Sequence, residues 1–221
     1  MLKLDHIEVF NWEGAIRGMR NPLNSWDKSD SEWRFTGYSS RGAHGTNDYI
    51  IGEADLTLMR KLAHAGSDHR KFLRQIMVSM DITAPRYWWA EYDTYKVGTV
   101  ANSCSTMHTI HKKPFEPDDF SHEHMKPLAL EQLKETITIL EAFREKYVET
   151  NNRGYWYSII QLLPASYNQR RTVTLNYEVA LNIYNARRNH KLDEWHTLCD
   201  AIAEMPYFRE ICLDEDKEAT T

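Results

Sequence analysis

Between residues 162 and 195 the chain reads LLPASYNQRRTVTLNYEVALNIYNARRNHKLDEW, with Asn176, Asn182, Arg187 and His190 set among aliphatic and tyrosine positions. At about 100° per residue, a helix through this stretch places Asn176, Val179, Ala180, Ile183, Ala186, Arg187 and His190 on one broad face. That face is apolar in its middle and polar at both ends. An amide and a guanidinium flanking an apolar seam are either caps and pairs or the wall of a binding site. Arg187–Arg188, with Arg170–Arg171 upstream, could grip a phosphate, since a guanidinium presents a planar fork of donors. A solvated charged face reads equally well.

Other residue types invite other chemistry. Cys104 and Ser105 could serve as nucleophiles with His108 nearby, but a nucleophile needs an aligned base, and spacing alone aligns none. Small loop-packing groups are the competing reading. His108 and His111 in STMHTIH, with His122 and His124 in SHEHM, have spacings from which a metal site could be assembled. Histidine beside acid is equally common on surfaces, no HExxH is present, and no metal ligand set is assigned. GxSxG, Walker A and GxGxxG are also absent. The aromatic clusters RYWW and YWY could stack on bases, although clustered aromatics more often build a core.

The totals narrow the class. With 221 residues the chain can bury a real core, and 42% apolar content argues against disorder. A net charge of −5 argues against a broad nucleic-acid footprint while allowing a local basic pocket. Cys104, Cys199 and Cys212 have unrelated spacings, with neither a disulfide framework nor a CxxC pair. A reducing, cytoplasmic setting fits. No apolar run approaches the roughly 20 residues of a membrane span, and MLKLDHIEVF lacks the pattern of a signal peptide.

These side chains must be positioned by regular elements. LKLDHIEVF reads as a first strand, and RNPLNSWDKSDSEW as a turn-rich loop. GEADLTLMRKLAHAG is helical and ends at Gly66. SDHRKFLRQIMVSMDITAP begins helical, then alternates over Ile76, Val78 and Met80 as a strand. Pro85 opens a helix through PRYWWAEYDTY. GTVANSCSTMH and EPDDFSHEHMKP read as loops. Leu130, Leu133, Ile137, Leu140 and Tyr147 form one stripe on a long amphipathic helix. A shorter helix, YWYSIIQLL, is broken at Pro164. An extended QRRTVTL then leads into the helix of the opening stretch, and a last helix covers KLDEWHTLCDAIAEM. The expected architecture is α+β, a single domain over residues 1–213 with a small, mostly antiparallel sheet flanked by helices. An acidic, frayed tail follows at 214–221.

The opening stretch resembles the flavin-dependent thymidylate synthases. Members of that family carry a Leu-Pro, an asparagine twelve residues after the proline, another six later and an arginine five after that. Here those positions are Leu163-Pro164, Asn176, Asn182 and Arg187, without a gap. HKLDEW is similar, within one residue of slip, to the family's His-Ala-Gln-Trp-Glu segment, which places His190 in the comparison. AGSDHRKFLRQIMV resembles the segment leading into the family's strand, with His69 as the matching histidine. The resemblance spans roughly residues 50 to 200, and the first 45 match only as strand plus loop.

The family signature is Arg-His-Arg, seven or eight residues, then serine. In this chain Thr94, Tyr95 and Lys96 stand at the triad, and Ser105 follows after eight intervening residues. The arginine that precedes the family's Leu-Pro is also missing, since Ile160 and Gln161 stand there.

By resemblance, Arg187 would hold and polarise the uracil of dUMP, with Ser105 as its catalytic companion. His69, Lys96, Asn102, Asn176, Asn182 and His190 would contact cofactor. The implied reaction transfers a one-carbon unit to C5 of a pyrimidine deoxynucleotide. It would use FAD, weakly held, with methylenetetrahydrofolate and NADPH as cosubstrates, in a homotetramer. A nucleotide hydroxymethylase and a non-catalytic nucleotide-binding protein on the same scaffold are the alternatives, and a metal hydrolase built on the histidines is a third class.

Overall fold

Strict alternation over MVSMDITAP buries Val78, Met80, Ile82 and Ala84 on one side of a strand, as the period of two requires. In the computed structural model, which describes residues 1–38 and 45–213, this is the fourth strand in chain order. The elements run β1 (Lys3–Phe10), α1 (Trp12–Arg20), β2 (Glu32–Tyr38), β3 (Gly45–Ile50), α2 (Glu53–His64), β4 (Met77–Pro85) and α3 (Arg86–Tyr92). They continue as β5 (Val100–Ser103), α4 (Thr106–Thr109), α5 (Pro127–Thr150), α6 (Arg153–Leu162), β6 (Asn168–Asn176), α7 (Tyr177–Arg187), α8 (Asp193–Ala203) and α9 (Phe208–Cys212). Four strands form a sheet in the order β1-β4-β6-β5, and β2 pairs with β3 as a separate antiparallel hairpin. The fold is α+β.

By contacts the chain divides into two compact units, and β1, β4 and β6 contribute residues to both. The first comprises Met1–His6, Met80–Lys96 and Val100–Val173. Its core is built on α5 and α6, which pack together across the two-residue link Asn151-Asn152. Leu133, Ile137 and Leu140 of the predicted stripe are buried there with Ile110, Phe115, Phe120, Ile159 and Leu163. Asn151 makes the corner with a left-handed backbone, φ 53°, a conformation that asparagine accepts more readily than most residues.

The second unit comprises Ile7–Ser79, Val97–Thr99 and Thr174–Thr221. Here α2 packs on α9, and α7 on α8. Tyr177 is fully buried at the start of α7, with its ring edge-on to Trp12 at 5.4 Å and to Phe208 at 5.3 Å. Its hydroxyl donates to the Pro206 carbonyl at 2.7 Å.

Several local expectations need correction. Residues 12–20 form α1, with Trp12, Ala15, Ile16 and Met19 buried on one face, a helix that no expectation covered between the first strand and the turn-rich loop. The expected loop GTVANSCSTMH holds β5 and α4. The helix expected to run from Asn176 to His190 covers Tyr177–Arg187 only. The expected acidic tail, 214–221, lies outside the described residues.

Candidate functional site

β6 passes directly into α7. Asn176 is the last residue of the strand and also the N-cap of the helix, its Oδ1 accepting the Val179 N–H at 3.0 Å. The cap satisfies one of the orphan donors of the first helical turn. Asn176 is therefore a buried terminus residue rather than a member of the helix face.

Gly98 comes close to this cap. A β-carbon there would lie 3.0 Å from Asn176 Nδ2 and 3.2 Å from Val179 Cγ2, and its φ of +75° already favours glycine. Gly98→Ala is accordingly expected to cost about 1–2 kcal/mol from the backbone conformation alone. Thermal melting checks this, and a wild-type Tm would show that residues 97–99 are not held against the cap.

The start of α7 is also tied from behind. Glu178, in its first turn, pairs with Arg70 at 3.1 Å and with Arg74, both from the 3-10 turn Arg70–Arg74. The Arg74 hydrogen bond comes first among the causes that hold the Glu178 carboxyl below the ordinary range, with Arg70 adding to it and burial opposing. His69 stands at the N-cap position of this turn, makes no side-chain capping bond and is exposed. Tyr177 N–H donates to the Ile76 carbonyl at 3.0 Å. Nothing in the sequence pairs residues 70 and 74 with 178.

At the other end of α7, the Arg187 guanidinium lies over the Trp195 ring, 4.6 Å from its centroid, and Trp195 is fully buried. A cation over an aromatic face is attracted by the ring quadrupole. His190 lies beyond the helix, with its ring 6.2 Å from Trp195 and its Nδ1 accepting the Leu192 N–H at 3.2 Å. His196 Nε2 donates to the His190 carbonyl at 2.6 Å. The structure thus brings Arg187, His190 and Trp195 together at the α7–α8 corner. Cys199 belongs to the same surroundings, where burial, and secondarily Asp200, pushes its thiol up to about 11 against the influence of Arg187 and Arg188. It is a core thiol and no nucleophile. Asn182, in the middle of α7, is exposed.

The first unit holds the remaining candidates. Thr94 and Tyr95 close the end of α3: Thr94 Oγ1 donates to the Glu91 carbonyl at 2.8 Å, and Tyr95 N–H to the Tyr92 carbonyl at 2.9 Å. Lys96 and Asn102 are exposed. Ser105 is the N-cap of α4, its Oγ accepting the His108 N–H at 3.2 Å.

The phosphate-cradle reading of Arg170–Arg171 is displaced. Arg170 pairs with Asp81 at 2.5 Å, and the same carboxylate takes Thr172 Oγ1 at 2.5 Å and His6 Nδ1 at 3.2 Å. Arg171 pairs with Asp93 at 2.7 Å and lies over Trp89, 4.1 Å from the ring centroid. Alternating side chains of a strand diverge, so adjacent arginines on β6 take different partners. Among the described residues no three histidine, cysteine, aspartate or glutamate side chains converge on a metal position. His122 Nδ1 lies 2.7 Å from the Phe120 carbonyl, and the His111 ring lies 4.9 Å from that of Tyr147.

Sequence reasoning missed two members of the α7 site. Trp195 as the shelf for Arg187 was visible only as the tryptophan of HKLDEW, and Gly98 only as a lone glycine in a polar stretch.

No family model and no curated protein matches the chain. Among solved structures it is similar to thymidylate synthase X (ThyX) from Helicobacter pylori with FAD and dUMP, at TM-score 0.62 and 18% identity over 97% of each chain. A second crystal structure, of the flavin-dependent thymidylate synthase ThyX from Helicobacter pylori complexed with FAD and dUMP, gives TM-score 0.63 and 18% identity over 97% of this chain and 98% of that one. The chain has the ThyX fold.

Proposed function

We propose that the protein is an enzyme of the flavin-dependent thymidylate synthase type, transferring a one-carbon unit to C5 of a pyrimidine deoxynucleotide such as dUMP. The observation that carries the reading is Arg187, stacked on a buried tryptophan at the end of α7, at the spacing from Leu163-Pro164, Asn176 and Asn182 that the resemblance requires. The likeness to structures solved with FAD and dUMP supports it.

Reduced flavin, when bound, would supply hydride, with methylenetetrahydrofolate supplying carbon and NADPH the reducing equivalents. The contribution of Arg187 is electrostatic. Its guanidinium would pair with a uracil carbonyl and stabilise the negative charge that develops on the ring when C5 reacts. Contact with Trp195 holds the guanidinium in place, and a pre-positioned donor needs little reorganisation. Asn176 and His190 shape the two ends of α7, and Asn182 is the polar group between them. His69, Lys96, Asn102 and Ser105 complete the proposed contacts, with Ser105 bearing on the nucleotide.

The residues fit a pyrimidine better than they fit a dinucleotide. Where the family carries Arg-His-Arg, Thr94 and Tyr95 close a helix end, and Lys96 is an exposed point charge without a fork. FAD is therefore expected to bind more weakly than in a protein that keeps the triad. Each missing charge-assisted hydrogen bond is worth about 1.5–3 kcal/mol, on the order of 10- to 100-fold in affinity. Flavin titration checks this: a tight stoichiometric complex would mean that other residues supply the phosphate contacts.

Calorimetry with dUMP, with and without FAD, tests the function itself. Saturable dUMP binding strengthened by FAD supports the enzyme, and no dUMP binding in either condition refutes it. Binding of dUMP that is indifferent to flavin favours the non-catalytic nucleotide-binding reading. A homotetramer belongs to the proposal, and light scattering that gives a 26.0 kDa particle would contradict it.

A further inference from the structure

A cleft lies apart from the Arg187, His190 and Trp195 cluster, none of which lines it. Its volume is about 690 Å3, and it is formed in the second unit by the end of β1, the start of α1, the β2–β3 hairpin and the turn before α9. Five aromatic residues line it: Phe10, Trp12, Trp33, Tyr49 and Tyr207. Trp12 is buried, with its ring edge-on to Tyr177 at 5.4 Å and to Tyr207 at 5.6 Å. Trp33 and Tyr49 are cross-strand partners whose rings meet edge to face at 5.2 Å. Trp33 is 60% exposed, so its ring is accessible from the cleft.

The charged groups on the wall are Glu13, Asp48 and Arg17, two carboxylates against one guanidinium. Glu13 accepts the Trp33 indole N–H at 3.3 Å, which fixes a carboxylate at the ring edge. Burial raises the Tyr49 hydroxyl above its ordinary range, and the Asp55 and Glu13 carboxylates add to the shift while Arg17 opposes it. The field around this hydroxyl disfavours further negative charge.

The backbone gives an independent sign. Asn11 (φ 70°) and Tyr207 (φ 58°) are both left-handed, and both line this cleft. For a bulky side chain that conformation is uncommon, and it persists where the surroundings over-determine it. Tyr207 is held by its ring against Trp12 and by its hydroxyl, which accepts the Ile51 N–H at 3.3 Å.

We propose that this cleft binds an organic cation, a quaternary or methylated ammonium group, seated against the aromatic rings with Glu13 and Asp48 as counter-charges. Ring faces carry the negative part of the aromatic quadrupole and attract a cation within about 6 Å of the centroid. A methylated ammonium, weakly hydrated and apolar at its surface, loses little on leaving water and gains both ring contact and the carboxylate field. An anion would meet two carboxylates and five aromatic rings against Arg17 alone. A neutral ligand would gain the contact area but would be indifferent to Glu13. The cleft shares no lining residue with the Arg187 cluster and requires nothing of the one-carbon reaction.

The test uses the full chain, with tryptophan fluorescence and calorimetry as readouts. The probes are choline, its neutral carbon isostere 3,3-dimethylbutan-1-ol, and benzoate. Choline is expected to saturate at an affinity about 10-fold or more above the isostere, as desolvated cation–π contacts imply, and benzoate is expected not to bind. Trp33→Ala, at an exposed position, should abolish saturation. Glu13→Gln, also exposed, should weaken choline by roughly 5- to 10-fold while leaving the isostere unchanged. A peptide carrying trimethyllysine distinguishes the source. Tighter binding than choline assigns a protein-borne ammonium, and equal or weaker binding assigns a small molecule. Equal affinity for choline and its isostere, preference for benzoate, insensitivity to Glu13→Gln, or no saturable binding of either ammonium would each overturn the proposal.

Discussion

Arg20→Met is expected to destabilise the protein by about 3–5 kcal/mol, the usual consequence of leaving one member of a buried ion pair alone. At roughly 2–4 °C per kcal/mol for a chain of this size, Tm should fall by on the order of 10 °C. Arg20 and Asp55 are 4% and 0% exposed, with Nε 2.6 Å from Oδ1. The second carboxylate oxygen accepts Ser29 Oγ and Ser31 Oγ, each at 2.6 Å, and the Ser31 N–H at 3.2 Å. Arg20 also donates to the Ser25 carbonyl at 3.2 Å. Removing the guanidinium leaves a carboxylate in the core with hydroxyl donors but no counter-charge. The double variant Arg20→Met/Asp55→Leu should recover much of the loss, because no charge is then stranded. Recovery stays partial, since Ser29 and Ser31 lose their acceptor.

The same carboxylate sets a pH dependence. Burial alone would raise the Asp55 pKa, but hydrogen bonds from Ser29, Ser31 and Arg20 override it and hold the group below its ordinary value. A carboxyl lowered in the folded state stabilises at pH above its unfolded value, about 3.9. That stability drains away as pH falls through the folded value. Urea unfolding from pH 6 down to pH 2 should show it, and Asp55→Asn should flatten that part of the curve. A single Arg20→Met variant that melts with wild type would show that the pair contributes nothing.

Arg187→Lys should weaken pyrimidine-nucleotide binding on the order of 10-fold, since an ammonium is a point charge and cannot reproduce a planar two-donor fork. The stack on Trp195 adds a small stability cost of about 0.5–1 kcal/mol. Arg188→Lys is the matched control, because Arg188 is exposed and lies 5.8 Å from the centroid of Tyr184. It should leave nucleotide affinity nearly unchanged. Calorimetry that gives Arg187→Lys the wild-type affinity for dUMP would remove Arg187 from the binding role. Intact binding with a much lower Tm would mark it as a packing residue.

The legible part of the fold was the part written in local periods. The stripe on α5, the alternation of β4 and the breaks at Pro85 and Pro164 each follow from spacing within one element. Residues 12–20 carry the same kind of signal, with Trp12, Ala15, Ile16 and Met19 at helical spacing. Two glycines and the turn-rich neighbourhood obscured it. Asn176 proves to be the cap of α7, a role the sequence did not separate from a site role, because a capping amide and a site amide look alike in sequence. What could not be read is long-range pairing. Arg20 meets Asp55 across 35 positions, and Arg70 meets Glu178 across 108. Neither spacing follows a rule. The Trp195 shelf under Arg187 depends on the turn between α7 and α8, whose angle no periodicity reports.

The direct passage from β6 into α7 also bears on which changes of length this chain can accept. A loop absorbs an extra residue by bulging, and surface loops tolerate such changes well. Asn176 leaves no loop between the strand and the helix. One residue added just after the cap would turn every later α7 side chain by about 100° and shift it about 1.5 Å along the axis. Arg187 would leave its shelf, and the buried row Tyr177, Ala180, Leu181 and Ile183 would face the wrong way. Residues 174–187 should therefore act as a ruler, tolerant of many substitutions and intolerant of insertion or deletion. An insertion scan read out by soluble expression would show a gap-free window there, and soluble single-residue insertions inside it would show slack that the geometry does not contain.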